Sequence, residues 1–170
     1  CAARVMNLKV LIRISELRGR LLTAKVENDG TMAAVTAQRQ DVEKLLSTMA
    51  GITLANINAP NQCVISGATD AVNDAVSAFK NQKIAARTIA VSQAFHSQYM
   101  EHAREPLKKA LQSVTMSAPR VPTYSNTDAN QYSSVPEEIV NRLVEHIVKP
   151  VDFVSQIKRM QQDGAYFFIE

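Results

Sequence analysis

The 170 residues contain no tryptophan, two cysteines and five glycines, and aromatics amount to 5%. Each shortage excludes something. Two cysteines, Cys1 and Cys63, cannot build a disulfide framework, so the expected setting is a reducing compartment and the expected localisation is cytoplasmic. There is no CxxC and no pair of histidines at i, i+4, so no zinc-binding pattern is present, and neither a metal nor a bound cofactor is expected. The net charge of +3 is spread along the chain, with its densest cluster at Arg13, Arg18 and Arg20. Without a basic stripe and interleaved aromatics, nucleic-acid binding is not expected. No apolar run approaches the roughly 20 residues that cross a bilayer, and no signal-peptide pattern opens the chain, so no membrane role is expected. The G-x-S-x-G elbow, which presents a serine on a strained strand-to-helix turn, is missing as well.

What is present is globular in composition, with 46% hydrophobic and 21% charged residues, and the length of one ordinary domain. The chain starts in what reads as a helix and stops at the apolar run AYFFIE, which reads as a strand. The expectation is a piece of a longer polypeptide.

Apolar residues near helical spacing predict a helix over 5–22 and a loop at ENDG, residues 27–30. TMAAV then reads as a strand, and DVEKLLSTMAG as a helix stopped by Gly51. ITLANI and QCVISG read as strands joined by the turn NAPN. ATDAVNDAVSAFKNQ is a helix capped by Thr69 or Asp70, and KIAARTIAV is a strand. The order over 31–91 is therefore β-α-β-β-α-β, a ferredoxin-like arrangement. Beyond it, MEHAREPLKKALQSV reads as a helix with Pro106 in its first turn or at a kink, and VPTYSN as a strand. PEEIVNRLVEHIV and VDFVSQIKRMQQDG read as helices, with Pro136 opening the first and Gly164 closing the second. The class is α/β. The helices and strands outside 31–91 suit a second layer whose other strands are not in this chain.

Three histidines compete for attention. His102 stands between Glu101 and Arg104 and reads as solvated; His146, in NRLVEHIV, reads as packed. His96 differs, because it falls at a strand-to-helix junction in VSQAFHSQYM, where loop backbone can aim a side chain into a cleft. A histidine base needs a nucleophile, and none is evident: Cys63 alternates with core residues in a strand. Arg18 and Arg20 at a helix end read either as surface cations or as a fork for a carboxylate.

Taken in order, ELRGRLL, GTMAAV, LANINAPNQCVISGATDAV, VSQAFHSQYM, APRVPTYSN, VEHIVKPVDF and FFIE resemble one family over essentially the whole chain. This is the acyltransferase domain of polyketide, fatty-acid and polyunsaturated-fatty-acid synthases, the malonyl-CoA:acyl-carrier-protein transacylase family. The resemblance implies an incomplete α/β-hydrolase-like large subdomain over 1–30 and 92–170, and a ferredoxin-like small subdomain over 31–91. It implies transfer of malonyl from CoA to the phosphopantetheine arm of an acyl carrier protein through an acyl-serine, with a ketosynthase among the neighbouring domains. By resemblance His96 is the general base and acid, and the backbone carbonyl of His146 orients it. Arg18 grips the malonyl carboxylate, leaving Arg20 at the surface. Phe95 favours malonyl over methylmalonyl. The serine of GHSxG is not in the sequence, so this piece alone is expected to be inactive. Arg4 stands where the family has a glycine, and an altered turn is expected there. The alternative from another class is a degenerate, non-catalytic module that docks an acidic carrier protein.

Overall fold

The computed structural model describes residues 2–24, 30–91 and 93–169; Cys1 and residues 27–29 of the expected ENDG loop lie outside them. The elements, in chain order, are α1 (Leu8–Thr23), β1 (Gly30–Val35), α2 (Arg39–Leu46), β2 (Ile52–Ala59), β3 (Gln62–Ala68), α3 (Thr69–Asn81) and β4 (Ala86–Thr88). A 3-10 turn (Gln98–Ala103) leads into α4 (Arg104–Gln112), followed by α5 (Pro136–Glu145), β5 (Val151–Asp152) and α6 (Phe153–Gln162).

The five strands form one sheet in the order β4-β1-β3-β2-β5. The first four are antiparallel to their neighbours, and β5 joins β2 in parallel. Both faces are apolar but cover different things. Ala33, Val35, Leu54, Ile57, Cys63 and Ile65 pack against Val42 and Leu46 of α2 and Val72, Val76 and Phe79 of α3. Met32, Ala55 and Val64 face the other way and meet Val91 and Phe95. Cys63 is wholly buried, as its alternation predicts, and burial pushes its thiol pKa up. At the edge of this second face β1 runs very close to the following loop. A Cβ on Gly30 would stand 2.5 Å from the Ala94 Cβ, so only glycine lets the loop approach. A separate cluster joins Met100, Leu107 and Leu111 to Ile139, Val140, Val144 and Ile147, with Ile14, Leu21 and Leu22 of α1 lying on it.

Several sequence expectations are corrected. α2 ends at Leu46 rather than at Gly51, because Ser47 and Thr48 donate hydroxyl hydrogen bonds to the Lys44 and Leu45 carbonyls, both at 2.8 Å, and draw the chain out of the helix. Ala68, not Thr69 or Asp70, stands at the cap of α3; Asp70 lies in the first turn, where the helix dipole favours it. The last predicted strand of 31–91 shrinks to Ala86–Thr88 at the sheet edge. VPTYSN forms only one bridge, Tyr124 with Gln131, because the Tyr124 hydroxyl turns to Asp163 at 2.8 Å and its carbonyl accepts from Gln156 at 2.9 Å. Residues 165–169 of AYFFIE do not form a strand: no described strand runs beside them, and Phe167 and Ile169 are 94% and 98% exposed; Glu170 lies outside the described residues.

Arg4 takes the left-handed conformation, at φ 56°, which the arginine was expected to avoid. The segment around it is pinned by Ser117 N–H to Val5 O and Arg120 N–H to Ala3 O, both at 2.9 Å. A non-glycine residue there costs about 1 kcal/mol or somewhat more. Arg4→Gly is therefore expected to raise the melting temperature by about 2–4 °C. A lower melting temperature would mean that the arginine side chain contributes more than its backbone loses.

Candidate active site

The site is assembled where the loop 93–97, the end of α5 and α1 converge. Phe95 is half-buried and touches both the sheet cluster and the helical cluster, pinning the loop between them. The next residue, His96, has φ 56°, a backbone state that costs a non-glycine residue about 1–3 kcal/mol and that collects at functional sites. Ser97, 2% exposed, holds this turn: its hydroxyl donates to the Ala94 carbonyl at 2.5 Å and accepts from Tyr99 N–H at 3.3 Å.

His96 Nδ1 lies 3.0 Å from the carbonyl oxygen of His146. A carbonyl only accepts, so Nδ1 carries the proton and Nε2 keeps its lone pair. That carbonyl is free because His146 is the C-cap of α5, where the last carbonyls of a helix have no partner inside it. The negative end of the helix dipole lies there too and favours any imidazolium that forms. Burial lowers the pKa of His96; the His146 carbonyl opposes this, and the charge of Arg18 adds to the lowering. The ring is therefore neutral and basic at physiological pH. The His146 ring lies 5.2 Å from that of His96, tilted by 44°, and its Nε2 is buried without a partner. Burial first, then the charges of His96 and Arg18, push its pKa down to about 4.

The two arginines separate. Arg20 is exposed and paired with Glu16 at 2.6 Å. Arg18 is half-buried, has no ion pair among the described residues, and acts on both imidazoles and on Tyr132. The structure thus brings His96, His146 and Arg18 together, with Phe95 next to His96 in the chain. It also contains two residues that sequence reasoning missed. Tyr132 is half-buried beside Arg18, and its phenol is pushed up by burial; 114 positions from Arg18, it carries no local signal. Ser97 was legible as a serine following a turn, a pattern that favours side-chain bonds to nearby backbone. His102, expected in solvent, is half-buried with both ring nitrogens on carbonyls. No cluster of three or more metal-ligating residues exists among those described.

Fold and site together define an α/β protein in which an oriented, neutral histidine and a guanidinium without an ion pair lie near each other. The family described as acyl transferase domain matches residues 3–170. The polyketide biosynthesis protein ThaF of Burkholderia thailandensis is 33% identical over 99% of this chain and 15% of its own length. The malonyl CoA-acyl carrier protein transacylase of Bacillus subtilis is 31% identical over 99% of this chain and 55% of its own. Among solved structures, acyl-carrier-protein-S-malonyltransferase from Bartonella henselae superposes with a TM-score of 0.91 at 33% identity, covering 97% of this chain and 54% of that one. The chain belongs to the acyl transferase domain family, and it spans about half the length, or less, of these relatives.

The depressed pKa of His146 has a consequence for stability. The folded state binds fewer protons than the unfolded one between about 4 and the ordinary 6.5. The stabilisation is fully present above pH 6.5 and is lost as the pH falls toward 4, on the order of 3 kcal/mol in total. Urea unfolding of wild type and His146→Gln over this range is expected to show a steeper loss in the wild type; parallel curves would contradict it.

Proposed function

We propose that this chain supplies the base, the carboxylate clamp and one pocket wall of an acyltransferase that moves malonyl from CoA to the phosphopantetheine thiol of an acyl carrier protein. The observation that carries this reading is the His96 Nδ1–H bond to the His146 carbonyl with the unpaired Arg18 nearby. The serine that completes the reaction belongs to a GHSxG segment that is not in the sequence. His96 Nε2 takes the serine proton as its oxygen attacks the thioester carbon, and returns a proton to the departing CoA sulfur. In the second half the carrier thiol gives its proton to the same nitrogen as its sulfur attacks the acyl-serine, and the serine oxygen is reprotonated on leaving. Arg18 matches a malonate carboxylate in charge and fork geometry. The Phe95 ring occupies volume that an α-methyl would need. No metal or cofactor enters this scheme.

In the same reading, residues 31–91 are the ferredoxin-like small subdomain, and residues 1–30 and 92–170 belong to the α/β-hydrolase-like large one. The strand order β4-β1-β3-β2 supports the first assignment, although β5 extends that sheet from outside 31–91. The partners are acyl-CoA, a carrier protein and neighbouring synthase domains such as a ketosynthase, in the cytoplasm. A degenerate docking module would have no use for a strained, oriented, neutral histidine.

Incubated alone with radiolabelled malonyl-CoA, the 170-residue chain is expected to take up no label; covalent labelling would refute the missing-serine reading. In an acyltransferase domain containing this chain and a GHSxG segment, His96→Ala is expected to lower turnover by about 10²–10⁴-fold. Arg18→Ala is expected to erase the preference for malonyl over acetyl. Phe95→Ser is expected to shift malonyl against methylmalonyl by about 1–3 kcal/mol. Full activity of the His96 variant, or unchanged selectivity in the other two, removes the corresponding residue from its role.

A further inference from the structure

His102 lies in the 3-10 turn that follows His96, and its ring joins two segments. Nδ1 is 3.1 Å from the carbonyl oxygen of Tyr99 in the same turn, and Nε2 is 3.1 Å from the carbonyl oxygen of Leu21. Carbonyl oxygens only accept, so a ring N–H is the donor wherever such a contact is a hydrogen bond, and one ring lies within reach of carbonyls on two separate segments. Leu21 is in the last turn of α1, where carbonyls lack helical partners and the dipole favours a cation. The acidic neighbours on these elements are otherwise engaged: Glu101 with Arg104 at 2.8 Å on the turn itself, and Glu16 with Arg20 at 2.6 Å on α1. Lys9, Arg13 and Arg18 of α1 have no ion pair, and no carboxylate contacts the ring, among the described residues.

The placement matters because α1 is weakly seated. It contains no fully buried residue, and it leans on the helical cluster through partly buried Ile14, Leu21 and Leu22. Yet α1 carries Arg18, one turn before Leu21. We propose that His102 is a positioning residue: its ring clamps the end of α1 to the turn that follows His96, and so sets Arg18 relative to the base. The inference rests on the reading of His96 and Arg18 given above as base and carboxylate clamp, and it adds a residue that neither substrate nor the reacting atoms touch.

The test is made on the chain itself and needs no acyl transfer, so its outcome is separate from that of the functional reading. Amide hydrogen exchange, corrected for intrinsic rates, is followed at residues 20–24 and 98–103, together with the ring ¹⁵N signals of His96 and the Nε–H signal of Arg18. His102→Leu is expected to speed exchange in both segments together by about tenfold, as loss of a hydrogen bond implies, and to shift both site signals. His102→Arg, which keeps a side-chain donor, is expected to restore them. Faster exchange confined to 98–103, with the site signals in place, would reduce His102 to a local cap and overturn the proposal. Should His102→Leu fail to fold, His102→Gln, which keeps a single side-chain N–H donor group, decides: faster exchange at 20–24 supports the clamp, whereas unchanged exchange there overturns it.

Discussion

The hydrogen bond from His96 Nδ1 to the carbonyl of His146, 3.0 Å long, is the contact around which the other features of the site arrange themselves. It joins positions fifty residues apart and needs both ends in place. On one side Ser97 and the buried contacts of Phe95 hold a turn in which His96 accepts a positive φ. On the other side α5 must stop at His146 so that its last carbonyls stay free, and the strand after it must return to the sheet. That return is made by β5, whose Val151 pairs with Asn56 of β2, and Asp152 then caps α6 by accepting from Ser155 N–H at 2.9 Å. Arg39 of α2 reaches across to the same Asp152 at 3.2 Å. The end of α5 is thus seated against the sheet whose second face receives Phe95.

This construction puts a helix end where a carboxylate might stand. A carboxylate would bring a full charge, and burying it beside His96 would cost desolvation. A terminal carbonyl brings a directed acceptor and a partial charge, already desolvated by the fold. It fixes the tautomer of His96 while burial keeps the ring neutral. The only unpaired cation acting on the pair, among the described residues, is Arg18, whose charge lowers both imidazoles. An anion held beside Arg18 would offset that effect on both imidazoles.

Residues of one type diverge here because their neighbours differ. Arg18 and Arg20 share a helix two positions apart, but Glu16 engages only Arg20. The three histidines are all half-buried, yet one gives its Nδ1–H to a carbonyl, one contributes that carbonyl, and one has both ring nitrogens within reach of carbonyls. Nothing in the immediate sequence of His102, flanked by Glu101 and Arg104, distinguishes it from a solvated residue; Leu21, 81 positions away, does.

Periodicity was enough to find α1, α3, α5, α6 and the strands β1 to β3, since each buries one consistent face or pairs with a chain neighbour through a short connection. It overshot at VPTYSN and AYFFIE, where apolar content favours a strand but no partner strand among the described residues lies alongside. The motif around His96 marked the junction where that residue sits, because a turn, an aromatic and a serine in succession leave a local trace. Burial alternation likewise placed Cys63 in the core. The choice of His146 as partner, the isolation of Arg18 from any carboxylate and the bridging of α1 by His102 left no such trace. Those relations depend on how segments separated by many residues are packed together, and a pattern whose period is two or 3.6 residues carries no information over that distance.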